Sequence, residues 1–370
     1  MFTVQGEGRG HMTQAISMSQ ILRKAGHEMV AVLAGRPNGK SWPAFFESAF
    51  PVPVTPIQSP IFTLKNGKSV DVPGTLAVFA RGLGDYSRSL HAIHETINDT
   101  KPDLIINFLE PLMGFYNFTH RHLPPTISLG HQFMMEHPEF VRLRGYVTQQ
   151  AAMRRFVGMA GARSIRTALS FYEATDYPNK QLFVSPPLLR QQLFQLEPDP
   201  NGKFILAYMV NEGYAEEIRH WHQAHPKVPI HCFRNQPEAP KEERVDDTLT
   251  FHQLDGEKFL KMMAACRAVA CTAGFESVSE AAYLGKPILV VPVENHVEQM
   301  GNALDAEKAG LAIWDRHFDL ARLLDFTSGT ATRRFRDWVD RAEAVFLSIV
   351  SYAAAEAPVK VRARVPIGHV

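Results

Sequence analysis

From its first residues the chain alternates short apolar runs with longer stretches in which apolar side chains return every three or four positions. The runs have strand length and the stretches have helix periodicity. In the first half, residues 2–5, 27–33, 103–108, 125–129, 164–169 and 181–184 read as strands. In the second half the same reading falls on 204–209, 229–233, 249–251, 268–271 and 288–291. Helix periodicity runs through Ala15, Ile16, Ile21 and Leu22 to a stop at Gly26. It returns over 275–284 before Gly285, over 296–308 before Gly310, and in one long stretch over 332–355. Strand and helix in alternation predict an α/β fold, a parallel sheet with crossover helices. A Pro-rich break at 186–201 divides the pattern in two. The expected organisation is a first domain over 1–187, a second over 201–331, and a last helix over 332–356 that can return to the first.

Such sheets gather helix N-termini at one edge, where backbone N–H groups and the helix dipole favour phosphate. The block from Cys271 onward concentrates suitable chemistry at that edge. Gly274 opens a helix carrying Phe275, Glu276, Ser277 and Glu280, and the next helix starts with Glu298, Gln299 and Asn302. A carboxylate there can hold ribose hydroxyls, and an acid–amide pair can hold a sugar. A solvated helix face with an N-terminal preference for acids reads the same residues equally well.

At the other end of the chain, Gly6, Gly8 and Gly10 precede His11. The spacing is not the dinucleotide fingerprint, so no NAD site is expected. His11 at a helix N-terminus would be kept neutral by the dipole, as a base must be; capping that helix is the plainer role. Glu110, just past the strand ending at Phe108, is the candidate carboxylate partner for His11. It equally suits an acid opening a helix at Pro111. Gly130-His131-Gln132 follows another strand end. The stretch 41–75 holds Phe45, Phe46, Phe50, Ile57 and Phe62 among six prolines, with a hairpin turn expected at 65–68. It suits either an apolar acceptor lining or packing against the next helix. Residues 139–162 set Arg142, Arg144, Arg154 and Arg155 among apolar positions. That pattern fits a solvated helix or one lying on an anionic membrane.

Composition narrows the class. With 370 residues the chain can bury two cores, and 45% apolar with 21% charged residues is ordinary for a soluble protein. A formal net charge of +1 gives no global pull toward nucleic acid, so no nucleic-acid partner is expected. Cys232, Cys266 and Cys271 lack metal-ligand spacing and fit a reducing compartment. The chain turns polar by Gln5 and holds no membrane-length apolar run, which makes a cytoplasmic setting the expectation. There is no Asp-x-Asp and no HExxH, so no metal is expected.

Taken together, Ser279-Glu280, Gly285-Lys286-Pro287, Pro292, Gln299, Asn302-Ala303 and Glu307-Lys308-Ala309-Gly310 resemble the donor half of the GT-B glycosyltransferases. The likeness is to the MurG and UDP-glycosyltransferase superfamily. The amino-terminal glycine loop ending in Gly10-His11 resembles the same proteins. The forms VQGEGRGH, GHQF and NEGYAEEI are similar to bacterial and archaeal members rather than to MurG itself. The resemblance implies two Rossmann-like domains facing across a cleft, with the acceptor on the first and the donor on the second. It implies inverting transfer from a nucleotide diphosphate sugar, UDP-linked, to an acceptor hydroxyl, with no cofactor beyond that co-substrate. Glu280 would bind the ribose, and Glu298 and Gln299 the transferred sugar. Gly10, Gly274, Phe275, Glu276, Ser277, Asn302, Asn211 and Leu254 would line the donor, with Arg9 beside the diphosphate. His11 would be the base with Glu110 behind it, while His131, Gln132 and Phe62 would face an unidentified acceptor, apolar or lipid. Contact with the inner face of a membrane goes with such an acceptor. Glu298 stands where MurG has glutamine, so the sugar can differ. A nucleotide-sugar epimerase, or a protein that only binds the nucleotide sugar, would use the same fold.

Overall fold

Strand β1 (Phe2–Val4) is buried on both faces and pairs in parallel with β2 (Val32–Gly35) on one side and β6 (Ile105–Phe108) on the other. Around it grows a sheet in the order β3-β2-β1-β6-β7-β8-β9, completed by β3 (Val54–Ile57), β7 (Thr126–Gly130), β8 (Ile165–Leu169) and β9 (Leu182–Ser185). All its pairings are parallel. Two short strands, β4 (Leu64–Lys65) and β5 (Ser69–Val70), pair antiparallel, and residues 66–68 of the expected turn lie outside the described residues. The computed structural model describes every residue except 7, 37–41, 61–63, 66–68, 71–80, 210–212, 237, 324–325, 327–328 and 357–370, so Phe62 and Asn211 lie outside the described residues.

A second sheet repeats the plan. Its order is β12-β13-β11-β10-β14-β15-β16, with β10 (Ile205–Met209), β11 (Ile230–Arg234), β13 (Leu249–Gln253), β14 (Ala268–Thr272), β15 (Ile288–Val291) and β16 (Ile313–Trp314) parallel. An antiparallel edge strand, β12 (Glu242–Arg244), closes one side. The protein is thus an α/β molecule with two doubly wound sheets. The central strands are continuous apolar runs because helices cover both faces and no position meets water.

Each sheet reverses strand order once, between β1 and β6 and between β10 and β14. Ligands of open α/β sheets sit at such switch points, beyond the carboxyl ends of the strands. Helix α1 (Gly10–Lys24) starts after β1. The turn into it is possible only with glycine at position 6, where a methyl would lie 1.7 Å from the Gly35 carbonyl oxygen. In chain order the other helices are α2 (Ala44–Glu47), α3 (Leu83–Thr100), α4 (Pro111–Thr119), α5 (Val147–Ala160), α6 (Gly213–Ala224), α7 (Gly256–Ala265), α8 (Phe275–Tyr283), α9 (Val297–Lys308), α10 (Gly329–Val339) and α11 (Ala342–Glu356).

Three expectations change, and one open choice is decided. Strand β2 begins five residues later than 27, because Gly26, at a φ of +83°, and His27 close the end of α1 with backbone bonds to Arg23 and Leu22. The basic segment is helical only from Val147. The long stretch near the end is two helices broken at Asp340-Arg341, where the Trp338 indole donates to the Ser170 carbonyl of the first sheet's side and fixes the bend. Of the two readings of 41–75, packing holds for Phe46, Phe50 and Ile57, which are core residues, and of the described phenylalanines in that stretch Phe45 alone is exposed. Helix α11 lies against the first sheet, through Tyr352 on Phe183, a Gln181 bond to the Tyr352 hydroxyl, and a Lys24–Glu343 ion pair.

Candidate active site

The N-termini of α1 and α8 come together. A Cβ on Gly10 would stand 3.3 Å from the Glu276 Cγ, so a side chain there would crowd Glu276 across the lobes. His11 follows on α1, with Nδ1 3.3 Å from the Gln14 Oε1. The Gln14 amide in turn donates across to the Glu276 Oε1 at 2.5 Å. Glu298, at the start of α9, acts electrostatically on His11 from the second lobe and accepts from the Gln132 amide at 3.0 Å. Burial lowers the His11 pKa and outweighs the opposing pull of Glu298 and Gln14, which leaves the ring neutral at pH 7. Burial also lifts Glu276 to about 8, and its second oxygen, Oε2, is buried without a hydrogen-bond partner among the described residues.

Glu110 is not the partner of His11. Its carboxylate is fully buried, accepts from the Ser59 hydroxyl at 2.7 Å and caps α4 by accepting from the Leu112 N–H at 3.1 Å. Asn107 holds the same corner through the Glu110 N–H and carbonyl. Glu110 therefore fixes the turn after β6, the helix-opening role. Burial pushes it up to about 7 against the pull of those two hydrogen bonds. A carboxyl whose folded pKa is raised stabilises the fold below its unfolded pKa and loses that contribution as pH rises through the folded value. Glu110→Gln should therefore match the parent at pH 4 and exceed it in thermal stability at pH 8. Equal midpoints at both pH values would contradict the burial account.

Glu280 departs further from expectation. It is 3% exposed, and both oxygens are taken by Arg190, at 2.5 and 2.6 Å, in a fork-to-fork pair. Arg190 comes from the linker between the sheets and also donates to the Gly256 carbonyl at 3.1 Å. The Glu280 carboxylate is therefore not free. The acid instead anchors a guanidinium between α8 and the start of α7 in the second sheet's half. Asn302 is likewise buried and donates to the Ala273 carbonyl at 2.8 Å, pinning the loop before α8. Gln299 accepts from the Val293 N–H at 2.9 Å and so shapes the turn into α9. Ser277 is half-buried in the first turn of α8, and Leu254 packs half-buried on the core. Gly274 is the residue from which α8 starts.

His131 does not face an open acceptor space. It is 4% exposed and stacks on Phe275 with ring centroids 4.1 Å apart, between Phe171 and Phe140. Its Nδ1 donates to the Leu169 carbonyl at 2.7 Å, and burial pushes its pKa down to about 4. With Tyr172 donating to Asp305 at 2.8 Å, it forms a seam between the lobes. His131 and Phe275 are therefore packing residues at this seam. Spacing could not reveal Arg190 or Gln14; the one sequence signal for either is an amide one helical turn after His11.

The whole first 330 residues match the family model described as "Glycosyl transferase family 1". The chain belongs to that family. It is a glycosyltransferase of GT-B architecture, and the solved structures it resembles carry the same fold. The calicheamicin glycosyltransferase CalG4 superposes with a TM-score of 0.62 at 14% identity, covering 96% of this chain and 98% of that one. UGT2 of Phytolacca americana, solved with UDP-2-fluoroglucose and pterostilbene, gives 0.63 at 13% over 95% and 99%. MurG of Acinetobacter baumannii gives 0.56 at 15% over 95% and 99%. No curated protein matches the chain by sequence. Among the described residues, no helix of this glycosyltransferase is long and apolar enough to cross a membrane.

Proposed function

We propose that the enzyme transfers a sugar from a UDP-linked donor, with inversion at the anomeric carbon and without a metal, to a hydroxyl on an apolar or lipid acceptor. The observation that carries this reading is the position of His11. A neutral imidazole from the first lobe stands against α8 and α9 of the second, where the two switch points meet.

In the proposed step, His11 takes the proton from the acceptor hydroxyl. The acceptor oxygen bonds to the anomeric carbon as the bond to the diphosphate oxygen breaks. Backbone N–H groups of the first turn of α8 receive the negative charge of the leaving diphosphate. Glu298, held by Gln132, steadies the imidazolium and borders the sugar. The Arg190–Glu280 pair meets the ribose or diphosphate as a unit.

The test is incubation with labelled UDP-sugars, with and without lipid extract. Release of UDP that requires extract, with label moving into the lipid fraction, is the expected result. A changed sugar with no acceptor would mean epimerisation, and donor recovered intact under every condition would contradict transfer.

A further inference from the structure

We infer that Gln14 is the positioning residue for His11, in the place where a carboxylate would ordinarily stand, and that Glu276 of the opposite lobe sets its orientation. The inference rests on the reading of His11 as the base.

It follows from what each atom can donate. An amide has one donating end and one accepting end, and its neighbours decide which way it points. The Gln14 Nε2 lies 2.5 Å from the Glu276 Oε1, and that oxygen accepts when the group is ionised or carries its proton on Oε2, the oxygen that has no partner among the described residues. The donating end of Gln14 is thereby assigned to Glu276. Its oxygen, 3.3 Å from the His11 Nδ1, can only accept, so the proton of the neutral ring belongs on Nδ1. The lone pair then lies on Nε2. That is the tautomer a base needs, and an orienting carboxylate would select the same one.

The amide is well placed to hold this arrangement. Gln14 is 3% exposed, one turn along α1 from His11, and the buried Ser17 one turn further donates to the Leu189 carbonyl at 2.9 Å. The acid expected in this role, Glu110, is spent on Ser59 and Leu112. An amide carries no charge, and among the described residues the acid acting on the ring is Glu298, which faces it across the cleft. Two of the three members of the chain His11–Gln14–Glu276 belong to the first lobe and one to the second. The tautomer is therefore fixed by a contact that needs both lobes.

The experiment uses the full chain labelled with 15N-histidine, the His11 signals being those lost in His11→Asn. At pH 7.5 the parent should show His11 protonated at Nδ1 with a bare Nε2. Gln14→Met should give a mixture of tautomers and a turnover of UDP-sugar lower by about ten- to a hundredfold. The donor KM should change little, because Gln14 acts through His11. Glu276→Leu, with Gln14 intact, should also mix the tautomers, and it supplies the answer if Gln14→Met does not fold. A parent protonated at Nε2, or unchanged His11 signals in both variants, would overturn the inference. Full turnover by His11→Asn would instead remove the base reading beneath it.

Discussion

Replacing His11 by alanine is expected to lower the rate of sugar transfer by about two to four orders of magnitude, the usual contribution of a positioned general base. Binding of UDP should stay near the parent value. The reason is positional: the imidazole enters from α1, whereas the proposed nucleotide contacts belong to α8 and the Arg190–Glu280 pair of the other side. Loss of kcat without loss of affinity separates a group acting on the reacting hydroxyl from one that holds substrate. His11 also helps close the lobes through Gln14, so circular dichroism and a melting curve should accompany the kinetics. Parent-like transfer by the alanine variant would leave the helix-capping role as the explanation of this residue.

The second large effect concerns Glu280. Its removal strands Arg190, which is held by both carboxylate oxygens and one backbone carbonyl. Breaking a buried pair by deleting one partner costs about 3–5 kcal/mol. The Arg190 side chain is one-quarter exposed, so water recovers part of this and about 2 kcal/mol is the better expectation. Glu280→Ala should therefore lower the denaturation midpoint and weaken UDP binding together. The double variant Glu280→Ala, Arg190→Met should regain much of the stability without regaining the affinity. If Glu280 met the ribose alone, the single variant would lose affinity at unchanged stability.

The legible part of the fold was the part fixed by local chemistry. Apolar runs bounded by glycine and proline marked the core strands, and Gly285 and Gly310 marked helix ends, because a residue at positive φ leaves a sequence signature. The edges were not legible. Glu242–Arg244 and Ile313–Trp314 are short, half in water and without apolar alternation, so only their pairing partners make them strands.

The site divides the same way. The glycine before His11 and the acids of the second lobe can be picked out by motif, and the structure gathers His11, Gly10, Glu276 and Glu298 at one place. Motifs do not say what a carboxylate touches. Glu280 meets an arginine 90 residues away, and Glu110 meets a serine 51 residues away, distances over which spacing carries no information. Gln14 left only a weak sign, an amide one helical turn after His11, because an amide on a helix has no characteristic pattern. Its meaning comes from a contact with the other lobe, 262 residues further on.

Hydrogen exchange of the full chain, with and without saturating UDP, tests the central claim most directly. Added protection confined to the first turns of α8 and α9, the loop leading into α1 and the linker around Arg190 is the predicted result. Protection that leaves α8 and the His11 loop untouched would contradict a nucleotide sugar held between the two lobes.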